Sequence, residues 1–193
     1  MNKEEFIDFI KNKSEKEIYD HLLQGQDVHY FKTISENHLL FYDDFKRFMA
    51  NNLNVHFNNI AIIGSAKTAF SLSPTKNFKE FDIENSDLDI VIVSDEYFKK
   101  FWKTYTLISR NNHINNYQSL TSSIFRNFIS VKEKDNHYNN EELINWQKKI
   151  NDFKTNLQLI YKIFTPINYR IYSNWEAVEE YHLKGLSDLK ATL

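Results

Sequence analysis

The chain has 193 residues, 41% of them hydrophobic and 26% charged, a formal net charge of −2 and no cysteine. That length supports one good hydrophobic core, and the composition excludes an intrinsically disordered chain. Lack of cysteine excludes a disulfide framework, a thiolate nucleophile and a Cys-based zinc site, and the small net charge gives no global field for coating nucleic acid.

Aromatic residues make up 16% of the chain, against only 3 Gly and 2 Pro, which predicts long elements, few tight turns and a largely aromatic core. From Met1 to Glu5 the sequence leads into an amphipathic stretch and not into the apolar run of a signal peptide. No uninterrupted apolar run reaches the ~18 residues of a membrane span. A cytoplasmic protein without membrane contact is the expectation.

Residues 1–52 read as helical. Phe6, Ile7, Phe9 and Ile10 form one apolar stripe, Ile18, Leu22 and Leu23 a second, and Leu39, Leu40, Phe45, Phe48 and Met49 a third. The run Ile60 to Ile63, closed by Gly64, reads as a buried strand. Residues 65–86 then form a long polar connection containing Pro74, of the kind that is functional or disordered when it lies inside a compact domain.

Leu88 to Val93 reads as a second strand, and residues 95–108 as a helix with Phe98, Phe101, Trp102 and Leu107 on one side. Residues 109–140 are mixed. Leu120, Ile124, Phe125 and Phe128 suggest a helix, Phe128 to Lys132 an extended segment, and Asp135-Asn136 and Asn139-Asn140 turns. From Glu141 to Phe164 the spacing of Leu143, Trp146, Ile150, Phe153, Leu157, Ile160 and Phe164 is helical until Pro166. Ile167, Tyr169 and Ile171 alternate with Asn168, Arg170 and Tyr172 as in a half-buried strand, and a helix from Trp175 to about Leu189 closes the chain. The expected architecture is an α/β (α+β) domain over residues 1–193, a small mixed sheet of three to four strands packed by helices.

The chemistry concentrates between Ile60 and Val93. On the second strand Asp87 and Asp89 share one face, about 7 Å apart along the strand, while Leu88, Ile90 and Ile92 take the other. Two carboxylates held this way repel each other and resist desolvation unless a cation joins them. Their all-oxygen ligation suits Mg²⁺ or Mn²⁺. At the end of the first strand, Gly64 permits close backbone approach to a ligand. Ser65 and the amides of Ala66 and Lys67 can donate to phosphate oxygens, and Lys67 adds a charge. That division of labour suits phosphoryl and nucleotidyl transfer.

The pattern Ile63-Gly64-Ser65 followed by Asp87-Leu88-Asp89 resembles the DNA polymerase β-like nucleotidyltransferase superfamily over residues 55–95, with a weaker echo at Ile167 to Tyr172. The resemblance implies a nucleotidyltransferase-like fold, an NTP or dNTP donor, two divalent metals on Asp87 and Asp89, triphosphate contacts from Gly64 and Ser65, and pyrophosphate as product. Two departures stand out. The segment 66–86 is longer than in compact members, and the outward positions Asn168, Arg170 and Tyr172 carry no third carboxylate. Glu133 and Glu176 are the substitutes within reach of that strand.

Each residue also has a bland reading. Asp87 and Ser86 can be turn residues, and lysines 67, 76 and 79 can be solvated. Arg170 either reaches the cleft or forms a structural ion pair. The 7 His show no metal-ligand spacing, and neither a Walker phosphate loop nor a Gly-x-Ser-x-Gly elbow occurs. The leading expectation is nucleotidyl transfer to a protein side chain, a nucleic-acid end or another nucleotide, in a toxin–antitoxin or phage-defence setting. A nucleotide-binding regulatory module without turnover is the second reading. An interaction protein whose aromatic helices meet a partner or a second copy is the third.

Overall fold

A computed structural model describes residues 1–132 and 136–193, so the expectations at Glu133 and Asp135 lie outside the described residues. The first fifty residues are helical, as their stripes predict: α1 (Lys3–Asn12), α2 (Glu15–Ile18), a π-helical turn (Tyr19–Gln24), α3 (His29–Ile34) and α4 (His38–Leu53). Asn2 and Ser14 each close a capping box, with Glu5 and Glu17, so the helix starts are written locally.

Four strands follow at the expected places: β1 (Ile60–Ile63), β2 (Leu88–Val93), β3 (Phe128–Lys132) and β4 (Ile167–Tyr172). Between β1 and β2 lie the single turn α5 (Ser65–Thr68) and a 3₁₀ turn (Pro74–Lys76). The remaining helices are α6 (Asp95–Ser109), α7 (Tyr117–Phe125), α8 (Glu141–Tyr161) and α9 (Trp175–Lys190). Phe128, which the apolar spacing places with the α7 helix, instead starts β3, because Asn127 adopts a left-handed conformation (φ 57°) and ends the helix.

The sheet order is β1-β2-β4-β3, with β2 and β4 parallel at the centre and an antiparallel strand on each edge. Alternation then sorts the side chains. Ile60, Ile62, Leu88, Ile90, Ile92, Ile167, Tyr169 and Ile171 enter the main core with α4, α6 and α8. Ile63, Val91, Val93, Phe128 and Tyr172 face α9. A third cluster joins Phe6, Ile10, Ile18 and Tyr19 to Phe70 and Phe78 of the connecting segment and to the end of α9.

Several stripe residues are not core. Leu39, Leu40, Trp102, Leu107, Ile160 and Phe164 are exposed, because Tyr42, Phe45 and Met49, Phe98, Phe101 and Tyr105, and Trp146, Ile150 and Phe153 occupy the inward faces of their helices. Among the described residues no helix is long and apolar enough to cross a membrane.

Candidate functional site

Register decides which side chains meet. Asp89 lies opposite Ile63 on β1 and opposite Asn168 on β4. The chain turns out of β1 at Gly64, whose φ of 72° and ψ of −160° belong to a region that only glycine enters without strain. A β-carbon at this position would stand 3.0 Å from Asp89 Oδ2. The absent side chain is what lets the carboxylate rest against the Gly64-Ser65 turn.

Asp87 precedes β2 and is exposed, while Asp89 is half-buried within it. They share the expected face. The Asn168 amide joins them, with Nδ2 donating to Asp89 Oδ1 at 3.2 Å and to Asp87 Oδ2 at 3.4 Å. Arg170 Nε donates to the same Asp89 oxygen at 3.3 Å, and its Nη1 to Tyr181 Oη at 3.2 Å. Burial is the largest single influence on Arg170 and works against its charge, but Asp89, Tyr181 and Tyr172 together outweigh it and hold the guanidinium protonated. The same guanidinium, acting after burial, helps push the neighbouring His182 down to about 4, so this imidazole is neutral.

Asp89, Arg170, Tyr181 and His182 line one cleft of about 480 Å³ on the α9 side of the sheet, and Asp87 and Asn168 lie outside its lining. Gly64, Ser65, Asp89 and Arg170 form its floor, Ser71, Ser73 and Lys76 one wall, and Glu180, Tyr181 and Lys184 of α9 another. Four of the sequence-predicted residues are thus brought together directly, and Asp87 joins them through Asn168.

Lys67 is not brought there. It is 4% exposed, and its ammonium donates to the Gly25 carbonyl on the far side of α5. Its backbone amide is also engaged, donating to Gly64 O at 3.0 Å. Burial lowers its amine to about 8. Proximity in sequence fails here because two residues along a helical turn reverse the direction of a side chain. Lys76, by contrast, does reach the cleft.

The outward set on β4 splits as well. Asn168 and Arg170 meet the carboxylates, whereas Tyr172 is fully buried beneath α9, its ring 5.0 Å from that of Phe128. Glu176 is an exposed residue in the first turn of α9, which follows the opposite end of β4 from Asn168. Tyr181 could not be found in the sequence, since its contact with Arg170 arises only when α9 folds back over the sheet.

Mg²⁺ and Mn²⁺ are commonly held by one or two carboxylates, with phosphate oxygens and water completing the shell. Asp87 and Asp89 fit that requirement. Among the described residues no group of three or more His, Asp or Glu forms a closed metal cage.

Fold and site together define an α/β chain with a carboxylate cleft against a Gly-Ser turn. No protein-family model, no curated protein and no solved structure matches the sequence or the fold.

Proposed function

We propose that this chain is a metal-dependent nucleotidyltransferase, moving an NMP or dNMP from an NTP or dNTP to an acceptor hydroxyl. The observation that carries the proposal is the contact between Asp89 and Gly64, which sets one carboxylate against a turn that offers its backbone to a phosphate, with Asp87 tied to it through the Asn168 amide. Asp87 and Asp89 hold Mg²⁺ or Mn²⁺, which neutralises triphosphate charge when bound. The Ser65 hydroxyl and the first amides of α5 face the triphosphate, and Lys76 and Arg170 supply positive charge from the wall and floor. In the transfer, the acceptor oxygen bonds to the α-phosphorus, the bond to the bridging oxygen breaks and pyrophosphate leaves.

One observation favours the second reading, a module that binds nucleotide without turnover. The β4 residue in register with Asp89 is Asn168, where a third acid would complete the pair.

The two readings separate by incubating the protein with each α-labelled NTP and dNTP and Mg²⁺ or Mn²⁺, beside the Asp87→Asn/Asp89→Asn protein. Pyrophosphate release by the wild type alone supports transfer, and the labelled product identifies the acceptor. Metal-dependent binding with no release supports the regulatory module. Equal release by the double variant rules out the site.

A further inference from the structure

The same cleft has an unused corner. Phe125 ends α7, and Phe125, Arg126 and Asn127 all line the cleft. Phe125 is 89% exposed, the most exposed large apolar residue among those described. Helix geometry explains why the core does not take it. Leu120 and Ile124 of α7 pack on the main core, and Phe125, a single residue past Ile124, points about 100° away from it.

The backbone of this corner is fixed. Asn127 N donates to Ile124 O at 2.9 Å, its carbonyl accepts from Ser173 N at 3.0 Å, and its φ is 57°. Its side chains are the reverse. Among the described residues no hydrogen bond, ion pair or ring contact engages the Phe125 ring, the Arg126 guanidinium or the Asn127 carboxamide. Two other cleft cations differ, since Arg170 is held by Asp89 and Lys184 by Asp188.

A free aromatic face, a free guanidinium plane and a free carboxamide on a rigid turn are the groups that bind a nucleobase. The ring stacks on the base, the guanidinium adds a second planar contact, and the carboxamide pairs with the base edge as both donor and acceptor. The geometry points to the Phe125-Arg126-Asn127 corner as the nucleobase subsite of the cleft, with Phe125 as stacking platform and Asn127 as the residue that discriminates between bases. This inference rests on the nucleotide reading of the cleft. It goes further by naming which part of a nucleotide the far wall recognises.

The test titrates wild type, Phe125→Ala, Phe125→Trp and Asn127→Ala with ATP, GTP, CTP and UTP, with inorganic tripolyphosphate, and with a short single-stranded oligonucleotide, all with Mn²⁺. Phe125 is solvent-exposed, so its replacement leaves the fold intact, which a melting curve checks. Phe125→Ala is expected to weaken nucleotide binding about tenfold, the scale of one base-on-ring stack, and to leave tripolyphosphate unchanged. Phe125→Trp restores affinity, and Asn127→Ala alters the ranking of the bases. Loss confined to the NTPs assigns the donor base, and loss confined to the oligonucleotide assigns an acceptor base. Unchanged affinities in Phe125→Ala, for NTPs and oligonucleotide alike, overturn the subsite while leaving the cleft reading standing. If the wild type binds neither NTP nor tripolyphosphate, the cleft reading fails and the subsite with it.

Discussion

The carboxylate of Asp89 rests against the α-carbon of Gly64, so close that a β-carbon there would lie 3.0 Å from Oδ2. The terminal oxygen cannot simply swing away, since Arg170 and Asn168 both donate to the other oxygen. Gly64→Ala therefore combines strain at φ 72° with displacement of the carboxylate. It should cost about 1–3 kcal/mol of stability and abolish metal-dependent nucleotide binding, read by thermal melting and calorimetry.

The two acids differ in what they do for the fold. Asp89 is paired with Arg170, the two side chains being 21% and 24% exposed, whereas Asp87 is exposed and touches only the Asn168 amide within the site. Asp89→Asn leaves the guanidinium without its counter-charge and should cost about 1–3 kcal/mol. Asp87→Asn relieves repulsion between the carboxylates and should leave the melting temperature in EDTA unchanged or raised. Both should remove Mn²⁺ stabilisation, followed as the shift in melting temperature on adding metal.

Replacing Asn168 by Asp puts a third carboxylate in register with Asp89. The apo protein should melt lower than wild type because three acids then share one face, and Mn²⁺ should raise the melting temperature by more than it does for wild type. If missing acid limits turnover, pyrophosphate release should rise as well. A variant no more responsive to Mn²⁺ than wild type would place the metal elsewhere.

Lys67 gives a pH signature. Its amine is lowered to about 8 in the folded chain from 10.5, so the unfolded chain binds more protons between those values. Stability therefore rises with pH across that window, by up to about 3 kcal/mol, and the gain is absent below pH 8. Tyrosines with raised values, such as Tyr30 and Tyr42, oppose this at high pH. The difference between wild type and Lys67→Met cancels their contribution. Denaturant midpoints from pH 7 to 9.5 should rise relative to Lys67→Met, and parallel curves would show that Lys67 is not buried as a charge.

Much of the fold is legible in the sequence because its elements are locally specified. β1 and β2 are short runs rich in β-branched residues ended by Gly64 and Ser94, β4 alternates apolar and polar residues up to Ser173, and α1, α2, α6, α8 and α9 begin at side-chain caps. Asp87, Asp89, Gly64 and Ser65 are legible because strand alternation and a strand-ending glycine fix their directions. The rest depends on packing. Proximity in sequence points Lys67 at the cleft because the turn α5 is not legible in four residues, whereas its ammonium follows that turn toward Gly25. Tyr181 needs α9 to fold over β4, and the exposure of Phe125 needs α7 to dock through Leu120 and Ile124. Periodicity marks apolar residues without saying which one the core leaves out.

The most direct test of the site is calorimetric titration of the protein with each common NTP and dNTP in Mn²⁺ and again in EDTA, for wild type and for Asp87→Asn/Asp89→Asn. The account predicts saturable binding of at least one nucleotide by the wild type in Mn²⁺, lost in EDTA and lost in the double variant while its melting curve remains cooperative. Nucleotide binding of equal strength in EDTA or in the double variant, or no binding under any condition, would contradict it.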